Sequence, residues 1–350
     1  MKVLMFSTDD KILDPRSVVA GRILSYGDKV DALAVIVFTK RASGPVQLSD
    51  KVTVWATGGH LKVGRLWLGY CLGKKQLADV VTAQDPFLVG LVAWLIARYL
   101  SVPLELQVHT DLFSSDFKSS SFGHWWRAQL ARFLLPKAAS VRVVSERIRS
   151  SIARARVLLQ RPAVVLPIFV DTRNLREGKP LYNLHDRYPQ FTKIILMVGR
   201  LTREKNYPLA FEVLRSSLKS EPKLGLVIAG TGPEQNRLIA LAKSLGLDRH
   251  IIFLGWQTDL LSLYKTADVF LHTSRYEGYG LVLAEAAAAG LPVVSRPVGI
   301  MSEALGWIGE SAEELAGGVL RAEAKDFIPN DFADFKTYAG TVTSLWRSLI

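Results

Sequence analysis

The sequence predicts an α/β protein with two doubly wound domains, each built on a parallel sheet. Three observations support this prediction: short apolar runs alternate with helical stretches, the alternation occurs twice, and a segment rich in glycine, proline and charge separates the two sets. Because parallel strands are joined by crossover helices, such alternation is typical of sheets covered on both faces. A chain of 350 residues also has the length expected for two domains of ordinary size.

The first domain is predicted over residues 1–172. Its apolar runs have the length of buried strands. They cover residues 3–6, 32–37, 52–55, 80–83, 104–108, 141–144 and 164–166. Residues 88–99 and 123–135 are helical in pattern, and residues 173–190, with glycine and prolines among charges, are predicted to be the linker.

The second domain is predicted over residues 191–330, where the same alternation returns. Its predicted strands cover residues 194–198, 224–229, 251–253, 269–271 and 292–294. Residues 331–350 then show apolar side chains at a near-helical period, which predicts a C-terminal helix. This helix either closes the second domain or crosses back onto the first.

The amino-acid composition, with 49% hydrophobic and 22% charged residues, is typical of a globular protein. The single cysteine, Cys71, permits no internal disulfide and favours a reducing compartment. No signal peptide is evident, and the longest apolar stretch, residues 87–97, is shorter than the roughly 20 residues that span a bilayer. The prediction is a cytoplasmic protein, with peripheral attachment to the inner face of the cytoplasmic membrane as an option.

The net charge of +12 belongs entirely to the first half of the chain. Residues 1–180 hold 26 basic and 14 acidic residues, whereas the remainder holds 18 of each. This asymmetry predicts an anionic partner for the first half: a membrane surface, a lipid phosphate or a nucleic acid. No zinc-finger spacing or aromatic RNA-binding signature is present, so nucleic acid is the least favoured of these partners.

Two glutamates, Glu277 and Glu285, lie in a segment with the pattern of a strand, a loop and a helix start. The apolar run 268–274 precedes them, and an alanine-rich helix follows as far as Gly290. They therefore lie at the carboxyl end of a strand, where open parallel sheets bind ligands. Backbone N–H groups near Gly280 can hold a diphosphate, and the two carboxylates can accept hydrogen bonds from hydroxyls. This arrangement predicts a nucleotide-sugar site.

The segment 275–285 resembles the E-x7-E motif of GT-B glycosyltransferases, specifically the large retaining family 4 (glycosyl transferases group 1) that uses nucleotide-diphosphate sugars. Residues 198–206 resemble the G-R-L-x-x-x-K-N element of that family. Residues 228–234 resemble its G-x-G-P-E turn, and residues 251–255 its V-x-F-x-G strand. The four segments occur in the order found in the family and cover about residues 190–305. The resemblance implies the GT-B fold, in which two doubly wound domains face each other across a cleft.

The resemblance also implies roles for individual residues. Arg200 and Lys205 would be catalytic, because two cations at the pyrophosphate stabilise the charge that develops on the leaving oxygen. Glu277, also catalytic, would hold hydroxyls of the donor sugar, and Glu285 would accept the ribose hydroxyls. The main chain of residues 252–254 would bracket the base. The other positions expected to bind the donor are Gly199, Gly232, Phe253, Gly278, Tyr279, Gly280, Leu281 and Val282.

His109 is the fourth catalytic candidate, since it follows a predicted strand and resembles a family histidine near the donor sugar. It would contact the transferring sugar or assist proton movement, or else it is structural. On the acceptor side the chain departs from the family, because the loop after the first strand contains no glycine before Gly21. Asp9 and Asp10 in this loop would bind acceptor hydroxyls or cap a turn. No metal site is expected, because no ligand spacing is present.

A basic aromatic helix is predicted near residues 122–137. It has two interpretations: a surface that meets anionic lipid with tryptophan at headgroup depth, or a core helix with a solvated face. Its aromatic and apolar residues are Phe122, Trp125, Trp126, Leu130, Phe133 and Leu134, with Arg127, Arg132 and Lys137 interleaved.

The leading functional prediction is a retaining, metal-independent glycosyltransferase without a cofactor. It would move a hexose from a UDP- or GDP-sugar to a glycan, polyprenyl-linked or phospholipid acceptor in cell-envelope or polysaccharide synthesis. One alternative keeps the fold and is a sugar-nucleotide epimerase or hydrolase. Another is a non-enzymatic basic protein that binds nucleic acid or membrane.

Overall fold

The computed structural model describes residues 1–41, 43–302, 304–329 and 332–350. The chain divides into two compact units. Unit 1 comprises Met1–Phe169 with Phe332–Ile350, and unit 2 comprises Val170–Asp331. Each unit contains one sheet with helices on its faces, which confirms the predicted fold class. Residues 330 and 331, where the sequence predicts a domain boundary, lie outside the described residues.

Unit 1 contains an eight-stranded sheet in the order β3-β4-β2-β1-β5-β6-β7-β8. Its strands are β1 Lys2–Ser7, β2 Ala32–Val37, β3 Val46–Ser49, β4 Val52–Ala56, β5 Val80–Ala83, β6 Leu104–Val108, β7 Ser140–Val143 and β8 Val164–Val165. Its first helices are α1 Val18–Gly27, α2 Lys62–Lys74, α3 Leu88–Leu100, α4 Ser115–Ser119, α5 Phe122–Leu134 and α6 Glu146–Arg154. Every pairing is parallel except that of β3 with β4. The sequence did not predict β3, because this edge strand carries only two apolar residues and therefore lacks a buried run.

Unit 2 contains a six-stranded parallel sheet in the order β11-β10-β9-β12-β13-β14. Its strands are β9 Lys193–Val198, β10 Leu224–Ala229, β11 Ile251–Gly255, β12 Val269–His272, β13 Val293–Ser295 and β14 Trp307–Ile308. Its helices are α7 Thr172–Glu177, α8 Leu184–Arg187, α9 Tyr207–Ser217, α10 Gln235–Ser244, α11 Leu260–Thr266, α12 Leu281–Ala288 and α13 Ala312–Arg321. The segment 173–190, predicted to be a linker, thus includes most of α7 and all of α8. β14 was not predicted, since a two-residue strand leaves no periodic pattern.

The core of unit 2 lies on both faces of its sheet. Along β9, Ile195 and Met197 pack into one hydrophobic cluster, whereas Ile194 and Leu196 pack into the other. Because successive strand residues point to opposite faces, an uninterrupted apolar run is what a sheet covered on both sides requires. The predicted strand positions agree with the observed ones to within about two residues, as is usual for element boundaries.

The C-terminal helix, α14 Phe335–Arg347, belongs to unit 1 and packs beside α1. Its apolar face contributes Tyr338, Val342 and Trp346 to the same hydrophobic cluster as the first strands. The indole Nε1 of the fully buried Trp346 donates a hydrogen bond to Glu105 Oε2, at 2.8 Å. This contact links a helix from the end of the chain to the middle of the first sheet.

Each sheet has a point where its strand order reverses. In unit 1 the reversal lies between β1 and β5, and in unit 2 it lies between β9 and β12. The loops that leave the carboxyl ends of two such strands run to opposite faces of the sheet and leave a crevice, which is where open α/β sheets bind ligands.

Candidate active site

The candidate site of unit 2 lies at the reversal between β9 and β12. β9 leads into Gly199 and Arg200, and β12 leads into the loop with Glu277. The two loops are joined by two hydrogen bonds: Thr273 Oγ1 donates to the carbonyl of Lys205 at 2.9 Å, and the amide of Arg275 donates to the carbonyl of Glu204 at 2.8 Å. The main chain therefore holds Lys205 and Glu277 at the same edge of the sheet.

Glu277 is the centre of a partly buried cluster. Its Oε1 atom forms an ion pair with Lys205 Nζ, accepts a hydrogen bond from Ser274 Oγ at 3.0 Å, and lies 3.3 Å from His272 Nε2. The side chains of Lys205 and Glu277 are 20% and 17% exposed. A carboxylate and an ammonium group thus face each other with limited access to water.

Burial alone would raise the pKa of Glu277. The His272 ring and the Lys205 ammonium outweigh this effect and lower that pKa to about 2. Burial also lowers the pKa of His272, so this side chain is neutral at physiological pH. The cluster at neutral pH therefore consists of one carboxylate, one ammonium group and a neutral imidazole.

The helix α12 begins beside this cluster. Gly280, immediately before it, has φ +82°, a left-handed conformation that glycine adopts without a steric penalty. The N–H groups of Leu281 and Val282 lie in the first turn, where an α-helix provides no intrahelical acceptor. Tyr279 is buried, and its carbonyl accepts a hydrogen bond from the amide of Ile300 at 2.8 Å. The start of α12 can therefore present donors and the positive end of the helix dipole to an anion.

Glu285 lies on α12 and contacts α11. Its Oε2 atom accepts a hydrogen bond from the buried Tyr264 hydroxyl at 2.8 Å. Burial raises the pKa of Glu285, and the bond from Tyr264 acts in the opposite direction. This contact leaves the other carboxylate oxygen, Oε1, to accept hydrogen bonds from hydroxyl groups.

Two glycines after β10 allow its loop to approach the loop after β9. A Cβ atom on Gly230 would lie 2.0 Å from the carbonyl oxygen of Gly199, and one on Gly232 would lie 2.3 Å from that of Leu201. Both positions therefore require glycine for packing. Phe253 is partly buried against the core, whereas Arg200 is exposed.

In unit 1, His109 follows β6 and its Nε2 atom lies 3.1 Å from Gln107 Oε1. The protein atoms packed around the ring and the nearby Arg142 guanidinium lower the pKa of His109, although the residue as a whole is exposed. Gln107 Nε2 donates to Thr82 Oγ1 at 3.0 Å, and Glu105 pairs with Arg142 at 3.3 Å. His109 is thus the exposed end of a buried polar network.

Asp9 and Asp10 lie in the loop after β1. Asp9 caps a 3-10 helix, Asp10–Leu13, with its Oδ1 atom accepting from the amide of Lys11 at 3.0 Å. The structure therefore gives Asp9 the turn-capping role. A carboxylate oxygen of Asp10 lies 4.0 Å from Arg41 Nε, and both side chains are about half exposed or more.

Three residues of the candidate site were missed by the sequence analysis. His272 lies at the carboxyl end of β12, and this position brings its ring to Glu277. Ser274, three residues before Glu277, could have been recognised from its place in the same loop. Tyr264 gave no signal, because its contact with Glu285 depends on how α11 packs against α12.

No group of three or more His, Cys, Asp or Glu side chains suited to a metal ion occurs in the described part of the chain. Within those same residues, no helix combines the length and apolar character needed to cross a membrane. The helix α5 buries Ala128, Ala131 and Leu134 on one side and exposes most of its aromatic residues on the other.

Two family models match the chain. One, described as a glycosyl transferase 4-like domain, covers residues 31–168, and the other, described as glycosyl transferases group 1, covers residues 187–308. The two matches occur in separate units, and the second includes the whole Lys205–Glu277–Glu285 region. Together they account for most of the chain.

Curated relatives of the chain include synthases with different names. The chain is 26% identical over 270 residues to the alpha-monoglucosyldiacylglycerol synthase of Streptococcus pneumoniae, covering 72% of this chain and 60% of the relative. It is 40% identical over 113 residues to a glycogen synthase of Mycobacterium tuberculosis, covering 32% and 27% of the two chains. The chain thus spans about 60% or less of the length of these relatives.

Solved structures share the whole fold at low identity. HepE of Anabaena in complex with UDP aligns over 100% of both chains, with a TM-score of 0.76 and 17% identity. Sucrose-phosphate synthase of Thermosynechococcus elongatus covers 100% of this chain and 99% of its own, with a TM-score of 0.77 and 19% identity. These likenesses establish the GT-B fold class. The two family matches show that the chain belongs to the group 1 (GT4-like) glycosyltransferases.

Proposed function

We propose that this chain is a retaining, metal-independent glycosyltransferase that moves a hexose from a UDP- or GDP-sugar to a glycan or lipid-linked acceptor in cell-envelope or polysaccharide synthesis. The observation that carries the proposal is the cluster of Lys205 and Glu277 beside the start of α12, with Glu285 about one helical turn further on. Among the solved neighbours, HepE has been crystallised with UDP and with UDP-glucose, which supports a nucleotide-sugar donor.

The diphosphate of the donor would bind at the first turn of α12. The N–H groups of Leu281 and Val282 would donate to its oxygens, and Lys205 and the exposed Arg200 would supply positive charge. When the bond between the sugar and the diphosphate breaks, the electron pair remains on the phosphate oxygen. Cations held there stabilise the transition state more than the ground state and lower the barrier.

The two glutamates would orient the donor on either side of the diphosphate. Glu277, ionised because of its low pKa, would accept hydrogen bonds from hydroxyls of the hexose. Glu285 would accept hydrogen bonds from the ribose hydroxyls while Tyr264 holds its other oxygen. The Glu277 carboxylate also forms an ion pair with Lys205 and so holds the lysine side chain in place.

Retention is proposed from the family. The acceptor hydroxyl oxygen would form its bond to the sugar on the face from which the diphosphate departs, and the hydroxyl proton would pass to the departing phosphate. His109, neutral at physiological pH, would contact the transferring sugar. Lys205 and Arg200 would do the electrostatic work that a metal ion performs in other transferases.

Binding to the cytoplasmic face of a membrane is the second part of the proposal. The exposed aromatic residues of α5, among them Phe122 and Trp126, would enter the headgroup region, and the excess basic charge of unit 1 would attract anionic lipid. Flotation with vesicles that contain or lack anionic lipid tests this part. Equal flotation with both, or none with either, would contradict it.

The donor site is tested by thermal shift with UDP, GDP, ADP and CDP, on wild type and Glu285→Ala. A ligand at 100 times its dissociation constant stabilises the folded state by about 2.7 kcal/mol. We expect a shift with UDP or GDP that is lost in Glu285→Ala and kept in Glu212→Ala, an exposed glutamate on α9. The same shift in wild type and Glu285→Ala would contradict the assignment.

Catalysis is tested separately with Lys205→Ala. Because Lys205 would act mainly on the charge of the departing diphosphate, we expect kcat to fall more than donor affinity. Chromatography of the sugar product distinguishes transfer from the epimerase and hydrolase alternatives. A free hexose or an epimerised nucleotide sugar as the main product in the presence of acceptor would contradict the transferase proposal.

A further inference from the structure

Unit 1 contains a pocket of about 730 Å³ that the donor chemistry does not use. Thr8, directly after β1, and Asp85, shortly after β5, line it. The pocket therefore lies at the carboxyl edge of the first sheet, at the reversal between β1 and β5 where such sheets bind ligands. Its volume falls in the range of small-molecule sites, roughly 300–1,000 Å³.

The walls of the pocket are mainly apolar. Phe38 after β2, Phe87 and Leu91 at the start of α3, and Leu130 and Phe133 on α5 all line it. A sugar placed against these side chains would lose hydrogen bonds to water without gaining partners, which costs free energy. A hydrocarbon chain gains instead, because each buried methylene is stabilised by transfer from water. The walls therefore favour the apolar part of an amphiphile.

Three cations line the same pocket: Lys62 and Arg65 on α2, and Arg127 on α5. The Arg127 guanidinium lies 5.5 Å from the centre of the Phe87 ring, so it is held at the pocket wall. Asp85 is the one carboxylate that faces them among the pocket-lining residues. The net charge of these side chains is positive, which favours binding of a phosphate group and disfavours a ligand of net positive charge.

Exposed apolar side chains surround this pocket on α2 and α5. Trp67 is 64% exposed and Phe122 is 75% exposed, and Leu61 and Val63 are also exposed at the start of α2. Side chains of this kind can enter the interfacial region of a bilayer. A lipid could then move from the membrane into the pocket without passing fully through water.

We propose that the pocket binds the acceptor as a lipid phosphate, with the hydrocarbon chain between α3 and α5 and the phosphate against Arg65 and Arg127. The assignment of this ligand as the acceptor rests on the proposed function, whereas the binding itself does not. It narrows the acceptor class from a glycan or a lipid-linked molecule to an amphiphile with a phosphate headgroup and an apolar chain.

The test uses dihexanoyl phosphatidic acid, a short-chain lipid phosphate, below its critical micelle concentration. Isothermal titration calorimetry with the full-length chain measures its affinity, with glycerol phosphate and dihexanoylglycerol as probes for the headgroup and the chains alone. We expect binding of the lipid phosphate to exceed that of either fragment by at least about tenfold. Lengthening the chains should tighten binding by about fourfold per methylene until the pocket is full.

A blocking variant, Gly123→Phe, tests the location. Gly123 lines the pocket, and a Cβ atom there meets only Ser121 Oγ at 3.7 Å, so the new side chain has room outside the existing packing. Gly340→Phe on α14 is the matched control, because its Cβ meets nothing within 4 Å and Gly340 is not among the pocket-lining residues. We expect Gly123→Phe to weaken binding more than about tenfold and to remove the dependence on chain length.

Charge variants test the headgroup site. Arg127→Gln should weaken the lipid phosphate about tenfold or more, whereas Arg132→Gln, an exposed arginine on the same helix that does not line the pocket, should not. Full affinity in Gly123→Phe, or equal affinity for the neutral diacylglycerol, would overturn the inference.

Nucleotide binding is measured on the same samples. Wild type that binds nucleotide but no lipid phosphate would contradict the pocket assignment alone. Wild type that binds the lipid phosphate but no nucleotide would contradict the donor site alone.

Discussion

Replacing Lys205 by methionine should change the ionisation of Glu277 and the stability of unit 2 together. In the native chain the pKa of Glu277 is lowered from 4.5 to about 2. Since each pKa unit corresponds to about 1.4 kcal/mol, the lowered pKa contributes on the order of 3 kcal/mol to stability at neutral pH. The His272 ring is the larger source of this contribution, and the Lys205 ammonium is the next. Removing Lys205 therefore takes away part of the contribution and leaves a mostly buried carboxylate with weaker partners, which is destabilising by up to about 3 kcal/mol.

The direction of the pH dependence follows from the lowered pKa. A carboxyl group with a lower pKa in the folded state stabilises the protein above pH 4.5, and this stabilisation is lost as the pH falls towards 2. The wild type should therefore lose stability over this interval. Lys205→Met should show a raised pKa for Glu277 and a smaller loss of stability on acidification, because part of the stabilisation is already absent at pH 7.

Two measurements check this prediction. NMR titration of protein labelled with 13C at the glutamate carboxyl carbons gives the pKa of Glu277, with Glu277→Gln used to assign its signal. Amide exchange in β9 and β12 gives the free energy of unfolding for unit 2 separately from unit 1. Lys243→Met, an exposed lysine on α10, is the control and should change neither quantity. A pKa near 4.5 in the wild type, or one that stays near 2 in Lys205→Met, would refute the reasoning.

Three further predictions follow from single contacts. Tyr264→Phe removes the hydrogen bond to Glu285 and should weaken nucleotide binding by about fivefold, since a typical hydrogen bond contributes about 1 kcal/mol. Unchanged nucleotide affinity would show that Tyr264 is not needed to position the Glu285 carboxylate. Glu105→Leu leaves the Arg142 guanidinium buried without its carboxylate partner, and urea denaturation should show unit 1 destabilised by about 3–5 kcal/mol. A decrease of less than about 1 kcal/mol in the free energy of unfolding would contradict the role of this ion pair. Gly280→Ala places a Cβ atom on a residue with φ +82° and should lower the stability measured by thermal unfolding by about 1–2 kcal/mol. Unchanged stability would show that α12 can begin with residue 280 in another backbone conformation.

The sequence alone determined the fold class and the local position of the two glutamates. A strand-length run of apolar residues is expected to be covered on both faces of a sheet, whichever strands pair with it. β9 could therefore be predicted without knowing its neighbouring strands. Glu277 and Glu285 could be located for the same reason, because their distances from β12 and from the start of α12 are short along the chain.

Contacts between distant residues depended on the tertiary structure. Lys205 and Glu277 are 72 residues apart, and their pairing requires β9 and β12 to be neighbours in the sheet. The periodicity of residues 331–350 predicted a helix with one buried face, but a helical period does not specify the surface that covers it. Trp346 reaches Glu105 across 241 residues of sequence. The pocket of unit 1 likewise requires α2, α3 and α5 to meet at one sheet edge, because its walls and cations come from segments that no local pattern connects.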